Sequence, residues 1–222
     1  MGNQIRIIPS IASANQLKIE EEIQRLGNWK QLHIDIEDGN FVPNITFGEK
    51  MIRGIANIAK QELDVHILAN NPEWYFQMLK ECAVKRIAVH FETLKYPLDT
   101  IGKIHKLGMK AGLAMNFATK AEDVAMFSNS FDYVIVMTAE PDSEEQHFYQ
   151  PMLRKIRQLR KILPLNKEIW VDGGIGRDEL PLIMEAGADT VIMGRAVFGN
   201  QNPQKVLREM SVTEITNIGK EE

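Results

Sequence analysis

Residues 32–44 read Leu-His-Ile-Asp-Ile-Glu-Asp-Gly-Asn-Phe-Val-Pro-Asn and set His33, Asp35 and Glu37 at every second position. Side chains two apart on a β-strand share a face. These three polar groups would therefore line one side of a strand end, with Ile34 and Ile36 on the other. Asp38-Gly39 then breaks the strand, and Pro43 marks a loop. An exposed edge strand with its polar residues outward would explain this stretch taken alone. His66 and Asp172 argue against that, because they lie at the ends of two other apolar runs. Two imidazoles and two carboxylates suit one divalent ion of the zinc, iron, manganese or cobalt kind. The carboxylates can also act as general acids and bases. A lone strand histidine is more often a satisfied core group. Four such groups at three strand ends are a far more specific signal.

The elements that must position them alternate regularly. Short apolar runs at 5–11, 31–36, 63–68, 86–90, 110–115, 133–138, 168–172 and 190–193 predict eight strands. Amphipathic segments at about 15–26, 48–59, 72–82, 97–107, 120–128, 148–162, 177–186 and 203–210 predict a helix after each. Asn70-Asn71 before Pro72 can cap a helix, and Gly108 and Gly187 suit left-handed residues just past helix ends. The runs Val134–Met137 and Val191–Met193 do not alternate, as expected for strands buried on both faces. Eight strand–helix units predict a single (β/α)8 TIM-barrel domain over residues 1–222. In that fold the chemistry gathers at the C-terminal strand ends. Those ends carry Ser10, His33, Asp35, Glu37, His66, His90, Asn116, Thr138, Asp172 and Gly194-Arg195.

Composition narrows the classes further. A net charge of −4 gives no sign of a nucleic-acid surface. The basic residues Arg154, Lys155, Arg157, Arg160 and Lys161 read as the solvated face of a helix. Cys82, the one cysteine, excludes an intramolecular disulfide and argues for a reducing compartment and a structural thiol. The N-terminus has no apolar leader, no run approaches the length of a membrane span, and position 6 is arginine where a myristoylation signal needs Ser or Thr. The expectation is a soluble cytoplasmic protein with no membrane or nucleic-acid partner. The helix aromatics Trp74, Tyr75 and Phe76 read as core, and His147 as a loop-edge substrate contact.

The segments IIPSI, LHIDIEDGNFVPNITFG, LDVHIL, GMKAGLAMN, VIVMT, WVDGGI and EAGADTVIMGRAVF follow one another from about residue 5 to about residue 200. Together they resemble the ribulose-phosphate 3-epimerase family, and HIDIEDGNFVPN and VDGG are specific to it. The resemblance implies an isomerase on a ribulose-phosphate-binding barrel. In that family the positions of His33, Asp35, His66 and Asp172 bind one divalent metal ion, and the two aspartates form the acid/base pair. Epimerising carbon 3 of a 2-keto sugar requires a proton to leave one face of an enediolate and return to the other. One base cannot easily reach both faces, so two carboxyls on opposite sides are needed. The resemblance further implies a sugar-phosphate substrate, a place in carbohydrate and pentose phosphate metabolism, and a homo-oligomer, either dimer or hexamer.

Three positions depart from the family pattern. Glu37 and Leu68 stand where it has two of three methionines under the enediolate, and Met137 keeps the third. A glycine-rich Pro-Gly-Phe-Gly-Gly-Gln segment is replaced by residues 140–146, Glu-Pro-Asp-Ser-Glu-Glu-Gln, whose carboxylates would repel a phosphate. Arg195 replaces a small polar residue; it suits an anion through its bidentate fork, or pairs with Glu144 or Glu145. Ser10, Glu37, Met137, Gly173, Gly174, Gly194 and Arg195 are therefore the candidate substrate contacts. The retained metal and acid/base set with an altered binding shell suggests 3-epimerisation of a ketose phosphate with changed specificity. One rival is an orotidine-phosphate decarboxylase-like activity, but Asp35-Ile36-Glu37-Asp38 lacks the lysine of that motif. The other is a non-catalytic, metal-bearing sugar-phosphate-binding regulator.

Overall fold

The computed structural model of the chain describes residues 5–140 and 146–212. The expected acidic loop falls almost wholly on residues 141–145, outside the described residues. Eight parallel strands form one sheet: β1 (Arg6–Pro9), β2 (Gln31–Glu37), β3 (Glu62–Leu68), β4 (Arg86–His90), β5 (Lys110–Met115), β6 (Tyr133–Met137), β7 (Glu168–Asp172) and β8 (Thr190–Met193). Their order is β1-β8-β7-β6-β5-β4-β3-β2. An isolated bridge between Ser10 and His33 joins the two ends of that order, so the sheet closes into a barrel.

The helices outside it are α1 (Ile19–Arg25), α2 (Glu49–Ile58), α3 (Phe76–Glu81), α4 (Pro97–Lys106), α5 (Ala121–Ala125), α6 (Leu153–Ile162), α7 (Glu179–Ala186), α8 (Arg195–Phe198) and α9 (Pro203–Ser211). Their punctuation is mostly local chemistry. Gly187 closes α7 in the left-handed region at φ 98°, and Gly108 has φ 84°. Asn202 caps α9 through the Lys205 N–H, with Pro203 in its first turn. Residues 70–72 differ from expectation: Asn71 makes no capping bond, and the Asn70 N–H donates instead to Asp38 Oδ2 at 2.9 Å.

Alternation divides the strands between two cores. Ile7, Ile34, Ile36, Val65, Ile67, Val134, Val136 and Val171 face outward and pack beneath the helices. Ile8, Ala88, Ala114, Tyr133, Ile135, Met137, Trp170 and Ile192 fill the barrel interior. Both cores claim β6 and β8, which explains why neither strand alternates. Tyr133 and Trp170 stack at 4.3 Å and plug the N-terminal half of the barrel. Gly112 faces them because a Cβ there would stand 2.5 Å from the Tyr133 ring. Asp35, His66 and Asp172 lie in the C-terminal halves of β2, β3 and β7, whereas Arg6 stands against the plug, 5.4 Å over the Trp170 ring.

The structure corrects some boundaries. The helix expected at 148–162 begins at Leu153, because a 3-10 turn at Gln150–Met152 carrying Pro151 precedes it. The segment 15–26 likewise opens with a 3-10 turn at Gln16–Lys18. Of the three aromatics read as core, Phe76 is buried and Tyr75 half-buried, but Trp74 is 80 % exposed. Trp74 lies in a 3-10 turn (Pro72–Tyr75), whose three-residue period turns it away from the face Phe76 buries.

Candidate active site

Register brings the sequence-predicted cluster together. His33 pairs with Asp64 across β2 and β3, Asp35 with His66, and Met137 with Asp172 across β6 and β7. One ligand atom from each of His33, Asp35, His66 and Asp172 lies within 4.8 Å of all the others. His33 Nε2 is 3.2 Å from Asp35 Oδ1. His66 Nδ1 is 3.5 Å from both Asp35 Oδ1 and Asp172 Oδ2. These are the separations expected of atoms sharing a cation, since ligands about 2.1 Å from a tetrahedral zinc stand about 3.4 Å apart. Both ring nitrogens of His66 are buried without a hydrogen-bond partner among the described residues. A buried imidazole facing two carboxylates with no hydrogen bond fits the role of a metal ligand, and the donor set fits a divalent ion.

Each member is held from behind. Ser10 Oγ donates to Asp35 Oδ2 at 2.6 Å, and Thr46 Oγ1 donates to the Asp35 carbonyl at 2.6 Å. Thr46 Oγ1 in turn accepts the Glu37 N–H at 3.0 Å. His33 Nδ1 is 2.6 Å from Asp64 Oδ1, which leaves Nε2 for the cluster. Thr138 Oγ1 donates to the carbonyls of Asp172 and Gly173, fixing the end of β7.

The electrostatics separate the two aspartates. Burial pushes the Asp35 carboxyl up, but the facing His33 and His66 outweigh it and hold Asp35 far below the usual carboxylate range. Burial also pushes Asp172 up, and although His66 pulls it down, the Asp35 charge leaves it raised. Burial disfavours charge on His33, yet Asp35 and Asp64 on either side raise it well above an ordinary imidazole. His66 is raised for the same reason by Asp172 and Asp35. Two carboxyls driven in opposite directions within one cluster are suited to giving and taking a single proton.

Above the cluster opens a pocket of about 620 Å³. Ser10, Asp35, Glu37, Met137, Asp172, Gly173, Gly174, Gly194 and Arg195 all line it. His33 and His66 are fully buried beneath it. Asn44 Nδ2 donates to Glu37 Oε2 at 2.9 Å, which braces that carboxylate at the pocket wall. Arg195 Nη2 donates to the Gln146 carbonyl at 2.7 Å. The glycines have packing reasons of their own. A Cβ on Gly194 would stand 2.1 Å from Ser13 Oγ, and one on Gly174 would stand 2.4 Å from the Phe148 nitrogen. A larger groove of about 960 Å³ between Phe117 and Arg154 shares His147 with this pocket and touches none of the four clustered residues.

Sequence reasoning missed Asp64, Asn44, Thr46 and Glu179. Asp64 carried a legible signal: it lies two residues before His66 and therefore on the same face of β3. Glu179 is the first residue of α7 and accepts the Gly176 N–H at 2.8 Å beside the pocket. His147 lines the same pocket.

The ribulose-phosphate 3 epimerase family matches residues 6–198 of the chain. Ribulose-phosphate 3-epimerase of Bacillus subtilis is 31% identical over 212 residues, covering 93% of this chain and 98% of the relative. That of Synechocystis is 34% identical over 211 residues, covering 91% of each. A cytoplasmic isoform from Oryza sativa subsp. japonica is 32% identical over 210 residues, also covering 91% of each. Among solved structures, orotidine 5'-phosphate decarboxylase from Pyrococcus horikoshii aligns with a TM-score of 0.66 at 12% identity, over 92% of this chain and 97% of that one. A mutant tryptophan synthase α-subunit from Pyrococcus furiosus aligns with a TM-score of 0.69 at 13% identity, over 97% and 99%. At such identities these two structures show the barrel fold alone.

Proposed function

The chain belongs to the ribulose-phosphate 3-epimerase family, and on that premise we propose that it is an isomerase inverting carbon 3 of a ketose phosphate. The observation that carries this reading is the approach of Asp35 and Asp172, from β2 and β7, to the same His66 nitrogen at 3.5 Å. One aspartate takes the carbon-3 hydrogen as a proton. The C–H electron pair moves toward the neighbouring carbonyl oxygen, giving an enediolate. The other aspartate returns a proton to the opposite face. No net oxidation occurs, and the two carboxyls end with exchanged protonation states.

His33, Asp35, His66 and Asp172 would hold one divalent ion of the zinc, iron, manganese or cobalt kind. When bound, it would supply positive charge beside the oxygens on which the enediolate develops negative charge. The remaining roles belong to the chain itself. Ser10 keeps one Asp35 oxygen in place through its 2.6 Å hydrogen bond. Met137 offers an apolar wall, and Glu37, braced by Asn44, accepts hydrogen bonds from sugar hydroxyls. Arg195 meets the anionic end of the substrate. Gly173, Gly174 and Gly194 let the backbone approach it closely.

Glu37 and Arg195 support a specificity different from that of relatives with a methionine and a small polar residue at those positions. A single-domain, cytoplasmic homo-oligomer completes the proposal. No helix among the described residues is long and apolar enough to cross a membrane. Exposed Trp74 and Tyr96 also line one surface pocket, as a contact between copies would need. The deciding experiment is exchange of the carbon-3 proton with solvent across a panel of ketose phosphates, using metal-loaded protein. Exchange with at least one is expected. Exchange with none would reject the enzymatic reading.

A further inference from the structure

The two histidines of the cluster are held in different ways. His33 is fixed by a hydrogen bond between its outer nitrogen and Asp64. Ligating histidines usually have such a partner, which sets ring orientation. His66 has none: its Nδ1 faces Asp35 and Asp172, and its Nε2 is buried without a hydrogen-bond partner among the described residues. Some other contact must fix its plane.

That contact is a ring. His90, at the end of β4, is fully buried and stacks on His66 with centroids 4.9 Å apart and planes 18° apart. Phe41, from the loop after β2, lies against His90 at 4.6 Å and 51°. His90 itself is tethered, with Nδ1 3.1 Å from Glu92 Oε2. The other Glu92 oxygen accepts the Asn116 N–H at 2.8 Å and the Thr119 hydroxyl. An anchored carboxylate thus orients one imidazole, and that imidazole presents a flat face to the next.

We infer that His90, held by Glu92, is a positioning residue that sets the plane of His66 for metal binding through ring stacking. The inference rests on the metal reading of the cluster. The stack does the work that Asp64 does for His33, with a surface in place of a hydrogen bond. A flat ring at position 90 should therefore preserve part of the effect even without the Glu92 tether, whereas an aliphatic side chain of similar bulk should not.

The test uses the full-length apo protein, titrated with Zn2+ against a competing chelator and with Co2+ followed by its visible absorption. His90→Leu is expected to weaken Zn2+ affinity by about 10- to 100-fold and to alter the Co2+ bands. His90→Phe keeps the flat face but not the nitrogen that Glu92 holds; it should lose no more than Glu92→Ala, clearly less than His90→Leu, and keep the parent Co2+ spectrum, a rescue that a general packing role would not produce. Glu92→Ala leaves both rings in place and removes the tether; it should weaken affinity by about 10-fold, and it decides the matter if His90→Leu does not fold. Unchanged affinity and spectrum in His90→Leu, or in Glu92→Ala where that arm is used, would overturn the inference. So would a loss in His90→Phe as large as that in His90→Leu. If the parent protein binds neither ion, the metal reading itself fails and the inference fails with it. Parent binding with indifferent variants removes this inference alone.

Discussion

His33 and Asp64 form a buried pair, Nδ1 to Oδ1 at 2.6 Å, directly across the β2–β3 register. The pair fixes which imidazole nitrogen turns to the cluster, so Asp64 belongs to the site although it never reaches the pocket. Asp64→Ala should lower zinc affinity by about 10- to 100-fold. It should also destabilise the fold by about 3 kcal/mol, because an uncompensated buried group remains. Asp64→Asn, which can still accept from Nδ1–H, should lose less of both. Chelator competition and chemical denaturation measure the two effects.

Asp35 and Asp172 are the proposed proton carriers, and replacing either by asparagine keeps shape while removing the titrating group. Each variant should lower kcat by roughly 100- to 10,000-fold or more. Melting temperatures should stay near the parent value. Appreciable carbon-3 exchange in either purified variant would sink the two-aspartate assignment.

Arg195 and Glu37 should divide substrate recognition between them. A hydrogen bond to a charged group contributes about 1.5–3 kcal/mol, so Arg195→Met should cut kcat/KM for a phosphorylated ketose by about 10- to 100-fold. The unphosphorylated sugar should be much less affected. Glu37→Met should change the ranking among sugars that differ in hydroxyl configuration while leaving the phosphate preference in place. Kinetics with matched pairs of substrates separate the two roles.

Glu92 gives a pH signature of the fold. Burial would push its carboxyl up, but His90, the Thr119 hydroxyl and the Asn116 N–H lower it to about 2. A carboxyl depressed in the folded state stabilises above its unfolded value, and that contribution is lost as pH falls toward the folded one. The parent should therefore lose about 2 kcal/mol through this group between about pH 5 and pH 2, allowing for its partial exposure. Glu92→Gln should be less stable at neutral pH and show a shallower acid slope. Urea denaturation across that pH range provides the comparison.

Most of the architecture was legible because period-two and helical patterns report burial directly. His33 and Asp35 announced themselves by alternation, and Asp172 by its place at the end of a buried run. Asp64 followed the same rule but was overlooked, since one aspartate within an apolar run does not show what it faces until strand register is known. Glu92 and His90 were harder still. The contact of His90 with His66 depends on ring planes, which no spacing encodes. Trp74 misled because a 3-10 turn does not keep the helical face that residues 72–82 suggest. Segment 148–152 misled because Pro151 opens a 3-10 turn ahead of α6.

The bridge between Ser10 and His33 has a consequence for folding. Seven of the eight strand contacts are full ladders, but β1 meets β2 through that single bridge. Strand β1 is instead zipped to β8, with Arg6 opposite Thr190 at the far end of the sequence. Contacts so distant in sequence form slowly, because a long loop must close before they repay its entropy. The seam is sealed at Ser10, whose hydroxyl also holds Asp35. Closing the barrel and fixing the Asp35 carboxylate are therefore one event, and a nascent or partly opened chain would lack the assembled carboxylate–imidazole cluster.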